Sequence, residues 1–261
     1  MLEPPGLLRR AIPAVALAVA VLVGPLAACS GERPELADET STTTTTEATT
    51  TTLPPPGPEV ARAKEPSIDV YASEDAATPD RQIVSGVDTS VDTIPVVFYV
   101  KGREHDADRV EVYLPVRPNG SSGWVDASDV IVQNMPYRIE VGITEHRLRV
   151  FREDEQILDE PVGVGRAEVP TPGGIYYLKE LLKPPNPNGA YGVYAYGLSG
   201  FSNVLQSFNG GSGVIGIHGT NEPDKLGTDV SHGCIRLHND VITRMVEEIG
   251  LPLGTPVEIE A

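Results

Sequence analysis

Short segments in which polar and apolar residues alternate recur along the chain after residue 67. Residues 110–114 (Val-Glu-Val-Tyr-Leu) and 147–151 (Arg-Leu-Arg-Val-Phe) show the pattern. A period of two residues is typical of a strand with one face buried. The chain also has 26 glycines and 24 prolines, which favours short strands and many turns over long helices. We therefore predict a mostly β protein.

These segments fall into two regions that are predicted to fold. Residues 67–133 are expected to form a small β domain. Within it, residues 123–130 (Gly-Trp-Val-Asp-Ala-Ser-Asp-Val) resemble the closing strands of bacterial Src-homology-3-like barrels. Residues 135–260 are expected to form a second β domain.

One short helix is expected in the second region, soon after Cys234. Asn239 or Asp240 can cap its start, and apolar residues then recur at helical spacing. Gly250 is suited to end it.

Residues 1–29 have the features of a secretory signal. Two arginines precede the apolar run 11–23, and small residues follow it. The ending Leu-Ala-Ala-Cys resembles the bacterial lipobox, whose cysteine is diacylated, so Cys29 is predicted to be a lipid anchor. The competing interpretation is an uncleaved transmembrane helix, because residues 11–28 approach the roughly 20 apolar residues that span a bilayer.

Residues 30–66 are rich in threonine and proline. They offer too little apolar surface to offset the entropy of ordering, so a disordered linker is predicted. At about 3.1 Å per residue, this linker would reach on the order of 100 Å from a membrane. The expected location is therefore outside the cytoplasm, with the chain anchored to the cell membrane and reaching into the cell wall. The threonines can also carry sugars, which the sequence leaves open.

The acidic balance of the chain limits its partners. The sequence has 37 Asp and Glu against 20 Lys and Arg, a formal charge of −17. Nucleic-acid affinity comes largely from basic residues that neutralise phosphates. We therefore expect no nucleic-acid partner.

His218 and Cys234 are the residues in which we expect the chemistry. They lie sixteen positions apart, in 215–220 (Ile-Gly-Ile-His-Gly-Thr) and 230–237 (Val-Ser-His-Gly-Cys-Ile-Arg-Leu). This spacing lets one strand leave and a loop return beside it. A thiolate attacks carbonyl carbon, and we expect His218 to take the proton of the Cys234 thiol.

The residues just before Cys234 are expected to support the nucleophile. Gly233 permits a tight turn, so that the backbone amides of residues 232–234 can point at a developing oxyanion. His232 is expected to brace this loop, and Ser231 to form local hydrogen bonds.

The segments around these residues resemble a known family. His218 followed by 231–236 (Ser-His-Gly-Cys-Ile-Arg) is similar to the signature of L,D-transpeptidases with the YkuD-type catalytic domain. Residues 170–176 and 197–201 resemble further segments of that family. The resemblance extends over the whole second region and implies a β-sandwich catalytic domain.

The resemblance also implies an activity, that of a cysteine acyltransferase of peptidoglycan. A stem tetrapeptide would be attacked at its third residue, D-alanine would leave, and an amine of a second stem would resolve the Cys234 thioester. The carbonyl of Gly219 would orient the base, and Arg236 would shape the site or bind a substrate carboxylate. Carbapenem-type β-lactams are implied as inhibitors, and neither a cofactor nor a metal is implied.

The stretch 183–196 combines prolines and glycines with three tyrosines. It is suited to form a flap over the site, and Tyr194 and Tyr196 are predicted to contact substrate. The competing interpretation is an ordinary surface hairpin.

Three other functions compete with the transpeptidase. Water in place of the acceptor amine would give an L,D-carboxypeptidase. A zinc hydrolase would use Cys234, His218 and His232 as metal ligands. The third alternative is a wall-binding lipoprotein without enzyme activity.

Overall fold

The computed structural model describes residues 57–88, 91–104, 107–208 and 210–260. The predicted signal peptide with Cys29, and the predicted linker as far as residue 56, lie outside the described residues. No helix within these described ranges is both long and apolar enough to cross a membrane.

The N-terminal part of the described chain is built from antiparallel strands. Five of them form one sheet, here called the N-terminal sheet, in the order β8-β7-β6-β1-β9, and the other four form two hairpins, β2 with β3 and β4 with β5. In chain order the strands are β1 (Glu59–Ala63), β2 (Ser67–Val70), β3 (Arg81–Val84), β4 (Gly86–Asp88), β5 (Val91–Ile94), β6 (Val97–Gly102), β7 (Arg109–Tyr113), β8 (Ser122–Asp126) and β9 (Val130–Asn134).

The first strand shows that the predicted linker was drawn too long. Residues 59–63 lie within the predicted linker 30–66, yet β1 pairs with β6 on one side and with β9 on the other. Val60 and Ala61 are buried there. Its sequence, Glu-Val-Ala-Arg-Ala, is too short and too irregular to show a period of two, and its position comes from its two neighbours.

The C-terminal part is built on one eight-stranded mixed sheet that curls into a half-barrel, in the order β12-β11-β10-β19-β14-β15-β16-β18. A short parallel pair, β13 with β17, lies beside it. In chain order the strands are β10 (Tyr137–Gly142), β11 (Arg147–Arg152), β12 (Glu155–Pro161), β13 (Val164–Gly165), β14 (Gly174–Leu182), β15 (Ala195–Phe201), β16 (Val214–His218), β17 (Asp229–Ser231), β18 (Ile235–Arg236) and β19 (Pro256–Glu260).

The mostly β fold with one short helix is confirmed, but the expected β-sandwich is not what forms. Alternation predicts that one face of each strand is buried. It does not say whether a second sheet or the curl of the same sheet covers that face. The Src-homology-3-like likeness of the N-terminal sheet stays a prediction.

The helix α1 (Asn239–Thr243) begins where it was expected and continues as a π-helical turn, Arg244–Glu248. His238 caps it, because its Nδ1 accepts a hydrogen bond from the Asp240 amide at 3.4 Å. The cap is therefore one residue earlier than predicted. Gly250 follows the helix with φ at +68°, as a helix-ending glycine should.

The two sheets share buried side chains. Tyr177 of β14 is fully buried and packs with Phe98 and Val112 of the N-terminal sheet. Leu253 touches the cores of both sheets. The eight-stranded sheet is therefore in direct contact with the N-terminal sheet.

Candidate active site

The register of two neighbouring strands places Cys234 beside His218. β16 and β18 run parallel, with Ile217 opposite Ile235 and His218 opposite Arg236. One residue earlier, the backbone amide of Gly216 donates a hydrogen bond to the Cys234 sulfur. Residues two apart in a strand share a face, so the His218 ring and the Cys234 thiol project from the same side of the sheet. A Cβ on Gly216 would lie 2.7 Å from the Tyr196 carbonyl oxygen, so glycine lets β15 and β16 approach closely beside the site.

The thiol and the imidazole open into the same cavity, which has a volume of about 70 Å³. Segments far apart in the chain contribute to its wall. The residues that line it are Ala190, Tyr191, Phe208, His218, Ser231, His232, Cys234 and Arg236.

The ring of His218 is held in one orientation. Its Nδ1 donates to the carbonyl of Gly219 at 2.6 Å, because a carbonyl oxygen only accepts. This bond was implied by the family resemblance, and it leaves Nε2 free of the Gly219 contact for a proton of the thiol. The ring of Tyr191 covers the imidazole, with 4.8 Å between ring centroids.

Electrostatics favour the uncharged forms of both groups in the resting protein. Burial lowers the pKa of His218 from 6.5 to about 4, against the effect of its hydrogen bond to Gly219 and together with the charge of Arg236. Burial raises the pKa of the Cys234 thiol above 9.0, although the Gly216 amide and Arg236 both favour the thiolate. Both shifts favour a thiol and a neutral imidazole over a preformed ion pair at pH 7.

The lowered pKa of His218 makes folding sensitive to acid. Between the unfolded pKa of 6.5 and the folded value of about 4, the unfolded chain binds a proton that the folded chain does not. The protein therefore becomes less stable as the pH is lowered through this range. The loss reaches on the order of 3 kcal/mol at full shift. In urea titrations, we expect the unfolding free energy of the wild type to fall relative to that of His218→Gln as the pH is lowered from 7 to 4. A pH-independent difference would contradict the burial of a neutral imidazole.

Ser231 organises the turn that carries Cys234. Its hydroxyl accepts from the Gly233 amide at 3.0 Å and donates to the Cys234 carbonyl at 2.5 Å. Gly233 has φ at +107°, a conformation that other residues rarely adopt. The Gly233 amide is thus already used, and the prediction that it belongs to the oxyanion hole is wrong for this arrangement. Within the described residues, no hydrogen bond is recorded for the amides of His232 and Cys234.

Two residues that contact His232 were not predicted from the sequence. The Arg166 guanidinium donates to Nε2 of His232 at 2.7 Å, and the Phe208 ring centroid lies 5.5 Å from that of His232. His232 is exposed and is braced by both neighbours, as its predicted supporting role requires. Arg166 and Phe208 are far from the Cys234 motif in sequence, and only the fold brings them there.

Arg236 lines the cavity, and part of its guanidinium group is paired with the Glu222 carboxylate. One terminal nitrogen donates to Glu222 at 2.9 Å, while its buried Nε has no hydrogen-bond partner among the described residues. Arg236 also influences the pKa of both reactive residues. Its contribution to a carboxylate site stays a prediction.

The structure contradicts the prediction that Tyr194 and Tyr196 bind substrate. Tyr196 is 1% exposed, and its hydroxyl donates to the Leu251 carbonyl at 3.2 Å inside the core. The Tyr194 hydroxyl donates to Glu247 at 2.6 Å, on the helical side. Tyr196 lies in β15, both faces of which are covered, so alternation did not reveal where its side chain goes. Tyr191 of the same stretch lines the cavity instead, as the flap interpretation would require of this segment.

The end of the stretch 183–196 is packed tightly against the loop that follows His218. A Cβ on Gly192 or on Gly219 would lie 2.1 Å from the side-chain oxygen of Asn239. Gly192 also has φ at +63°. This close approach fixes the backbone next to the Gly219 carbonyl, and hence the orientation of His218.

Known proteins are similar to the C-terminal part of this chain. A solved structure from Bdellovibrio bacteriovorus is 31% identical, with a TM-score of 0.37, and the match covers 48% of each chain. YkuD of Bacillus licheniformis, named as an L,D-transpeptidase, is 32% identical over 57% of this chain and 85% of that protein. YkuD of Bacillus subtilis is 30% identical over 56% of this chain and 83% of that protein. The family model described as the L,D-transpeptidase catalytic domain, YkuD, matches residues 136–259. The chain therefore belongs to the L,D-transpeptidase family with the YkuD catalytic domain.

Proposed function

We propose that the chain is an L,D-transpeptidase that cross-links peptidoglycan stem peptides through a thioester on Cys234. The observation that carries the proposal is the shared cavity of one thiol and one buried imidazole, with Nδ1 of His218 already bonded to the Gly219 carbonyl. That bond presents Nε2 as the proton acceptor. Membership of the family supports the same chemistry.

Acylation starts from the neutral pair. The sulfur of Cys234 attacks the carbonyl carbon of the third residue in a stem tetrapeptide while its proton moves to Nε2 of His218. The tetrahedral intermediate then collapses. The bond to D-alanine breaks, its amine takes the proton from Nε2, and a thioester remains on the sulfur.

Backbone amides are proposed to stabilise the oxyanion. The amides of His232 and Cys234 remain for this purpose, since the Gly233 amide donates to Ser231. In the second half-reaction, a side-chain amine of another stem attacks the thioester and gives a proton to Nε2. The sulfur leaves and regains that proton. One amide replaces another, so no cofactor is required.

Location and inhibition complete the proposal. A diacylated Cys29 would anchor the chain to the cell membrane, and the linker would carry the catalytic part into the cell wall. Carbapenem-type β-lactams would acylate Cys234 by the same route as the donor. Arg236 would contribute positive charge near a substrate carboxylate.

The zinc alternative has less support in the site. His232 would have to be a ligand, but its Nε2 already accepts a hydrogen bond from the Arg166 guanidinium. The positive charge of the Arg166 guanidinium would repel a zinc ion at this nitrogen. Acylation that persists in a chelator would agree with the cysteine mechanism, and acylation that is lost would favour zinc.

Product analysis on defined substrates tests the proposed function. The purified protein is incubated with a tetrapeptide donor, with and without an amine acceptor of the stem-peptide type. A cross-linked dimer with release of D-alanine is the expected product by mass spectrometry. Tripeptide alone, even with excess acceptor, would indicate the L,D-carboxypeptidase. No turnover and no β-lactam labelling would favour the wall-binding lipoprotein.

A further inference from the structure

One wall of the cavity is carried by an exposed loop between β15 and β16. This segment, here called the Phe208 loop, comprises residues 202–208 and 210–213. Phe208 lines the cavity and lies against the ring of His232. Most side chains of the loop are exposed, so core packing contributes little to its position.

A side chain from the N-terminal sheet reaches into this loop. Arg117, between β7 and β8, donates one terminal nitrogen to the Ser202 carbonyl at 2.6 Å. Its other terminal nitrogen donates to the carbonyls of Leu205 at 3.0 Å and Ser212 at 3.1 Å. One planar guanidinium therefore forms hydrogen bonds with both ends and the middle of the Phe208 loop.

A second residue from the same connection holds the start of the loop. The Asn119 amide donates to the Phe201 carbonyl at 2.8 Å, and its oxygen accepts from the Phe201 amide at 2.9 Å. The Arg117 guanidinium also lies 4.8 Å from the centre of the Phe201 ring. Side chains of the connection between β7 and β8 thus bind the end of β15 and the Phe208 loop.

The loop backbone is shaped to admit the guanidinium. Gly213 has φ at +73°, and a Cβ there would lie 2.4 Å from the Leu205 carbonyl and 3.1 Å from a terminal nitrogen of Arg117. Only a glycine allows these three groups to come so close.

We propose that Arg117 is a positioning residue, through which the N-terminal sheet holds the Phe208 loop against the catalytic cavity. Arg117 touches no reacting atom and acts through Phe208, which borders the site with His232. His218 ends β16 and Cys234 immediately precedes β18, so neither depends on the loop for its position. The loop should therefore govern how well donor peptide binds, more than how fast the bound peptide reacts. The kinetic part of this inference rests on the proposed function.

Arg117→Ala is the test, with Arg109→Ala as the matched control. Arg109 also donates to three backbone carbonyls, those of Ser73, Glu74 and Ala76, but all within the N-terminal part. We expect Arg117→Ala to lower kcat/KM for donor tetrapeptide by about 10-fold to 100-fold, mainly through KM. Arg109→Ala should lower Tm and leave KM unchanged. Each variant is assayed well below its own Tm.

Two further variants separate positioning from general damage. Arg117→Lys keeps the charge but lacks the guanidinium fork, so KM should be intermediate. Phe208→Ala should raise KM as Arg117→Ala does. In the double variant the two effects should not add, because both act through one loop. Full additivity would overturn the proposal.

Hydrogen exchange supplies a readout that needs no substrate. Amides of the Phe208 loop should exchange faster in Arg117→Ala than in wild type, with no such change in Arg109→Ala. Unchanged exchange and KM in Arg117→Ala, or equal changes in Arg109→Ala, would overturn the proposal. A wild type that forms no product would instead contradict the proposed function, and the exchange comparison would still decide the role of Arg117.

Discussion

Cross-linked product should disappear when Cys234 is replaced by alanine, with a fall in kcat/KM of about 10⁴-fold or more. The thiol shares the sheet face and the cavity with the imidazole of His218. Ser231 also lines the cavity, but its hydroxyl already accepts from the Gly233 amide and donates to the Cys234 carbonyl. Without the thiol, no acyl-enzyme can form. Dimer is quantified by chromatography and mass spectrometry after incubation with defined donor and acceptor.

Cys234→Ser is the matched control for this substitution. Serine keeps the size of the side chain and can accept the hydrogen bond of the Gly216 amide, so the Tm should stay close to that of the wild type. A hydroxyl is a much weaker nucleophile than a thiol, and turnover should still be lost. Substantial cross-linking by either variant would contradict the role of Cys234.

His218→Gln should reduce acylation by about 10²-fold to 10⁴-fold, the usual contribution of a positioned general base. Glutamine fills much of the same space but cannot take the proton of the Cys234 thiol. His146→Asn is a suitable control, because His146 is a histidine outside the cavity, where it contacts Asp229, and asparagine tolerates its positive φ. We expect the control to acylate at the wild-type rate in stopped-flow assays with a carbapenem.

The pH profile of acylation distinguishes a neutral pair from an ion pair. A pKa of about 4 keeps His218 able to accept a proton throughout the neutral range, so the wild-type rate should fall only as the pH approaches that value. Because burial raises the pKa of the Cys234 thiol, the wild type should show no more thiolate absorbance than Cys234→Ala at pH 7. A clear thiolate signal at neutral pH would contradict the neutral pair.

The reactive residues were predictable from sequence because their signal is local. The run from Ser231 to Arg236 is continuous, and His218 lies on the strand next to it, so a short motif describes most of the chemistry. The helix start was predictable for the same reason, since capping and helix-ending residues act within a few positions of each other.

Other parts of the site depend on contacts between distant segments. Tyr196 is in the core because both faces of β15 are covered, and Arg166 and Phe208 reach His232 only through the fold. The direction of the Cys234 pKa shift follows from burial, which the motif does not encode. The strand Glu59–Ala63 is likewise defined by its two partners and not by its own residues.

Intact mass spectrometry of the wild type with donor tetrapeptide, followed by peptide mapping, measures the acyl-enzyme directly. The expected result is one added tripeptide acyl group, with D-alanine released, on the fragment that contains Cys234. The adduct should vanish on addition of acceptor amine as cross-linked product appears. An adduct on another residue, or cross-linking without any covalent intermediate in rapid-quench samples of the wild type, would contradict the thioester mechanism.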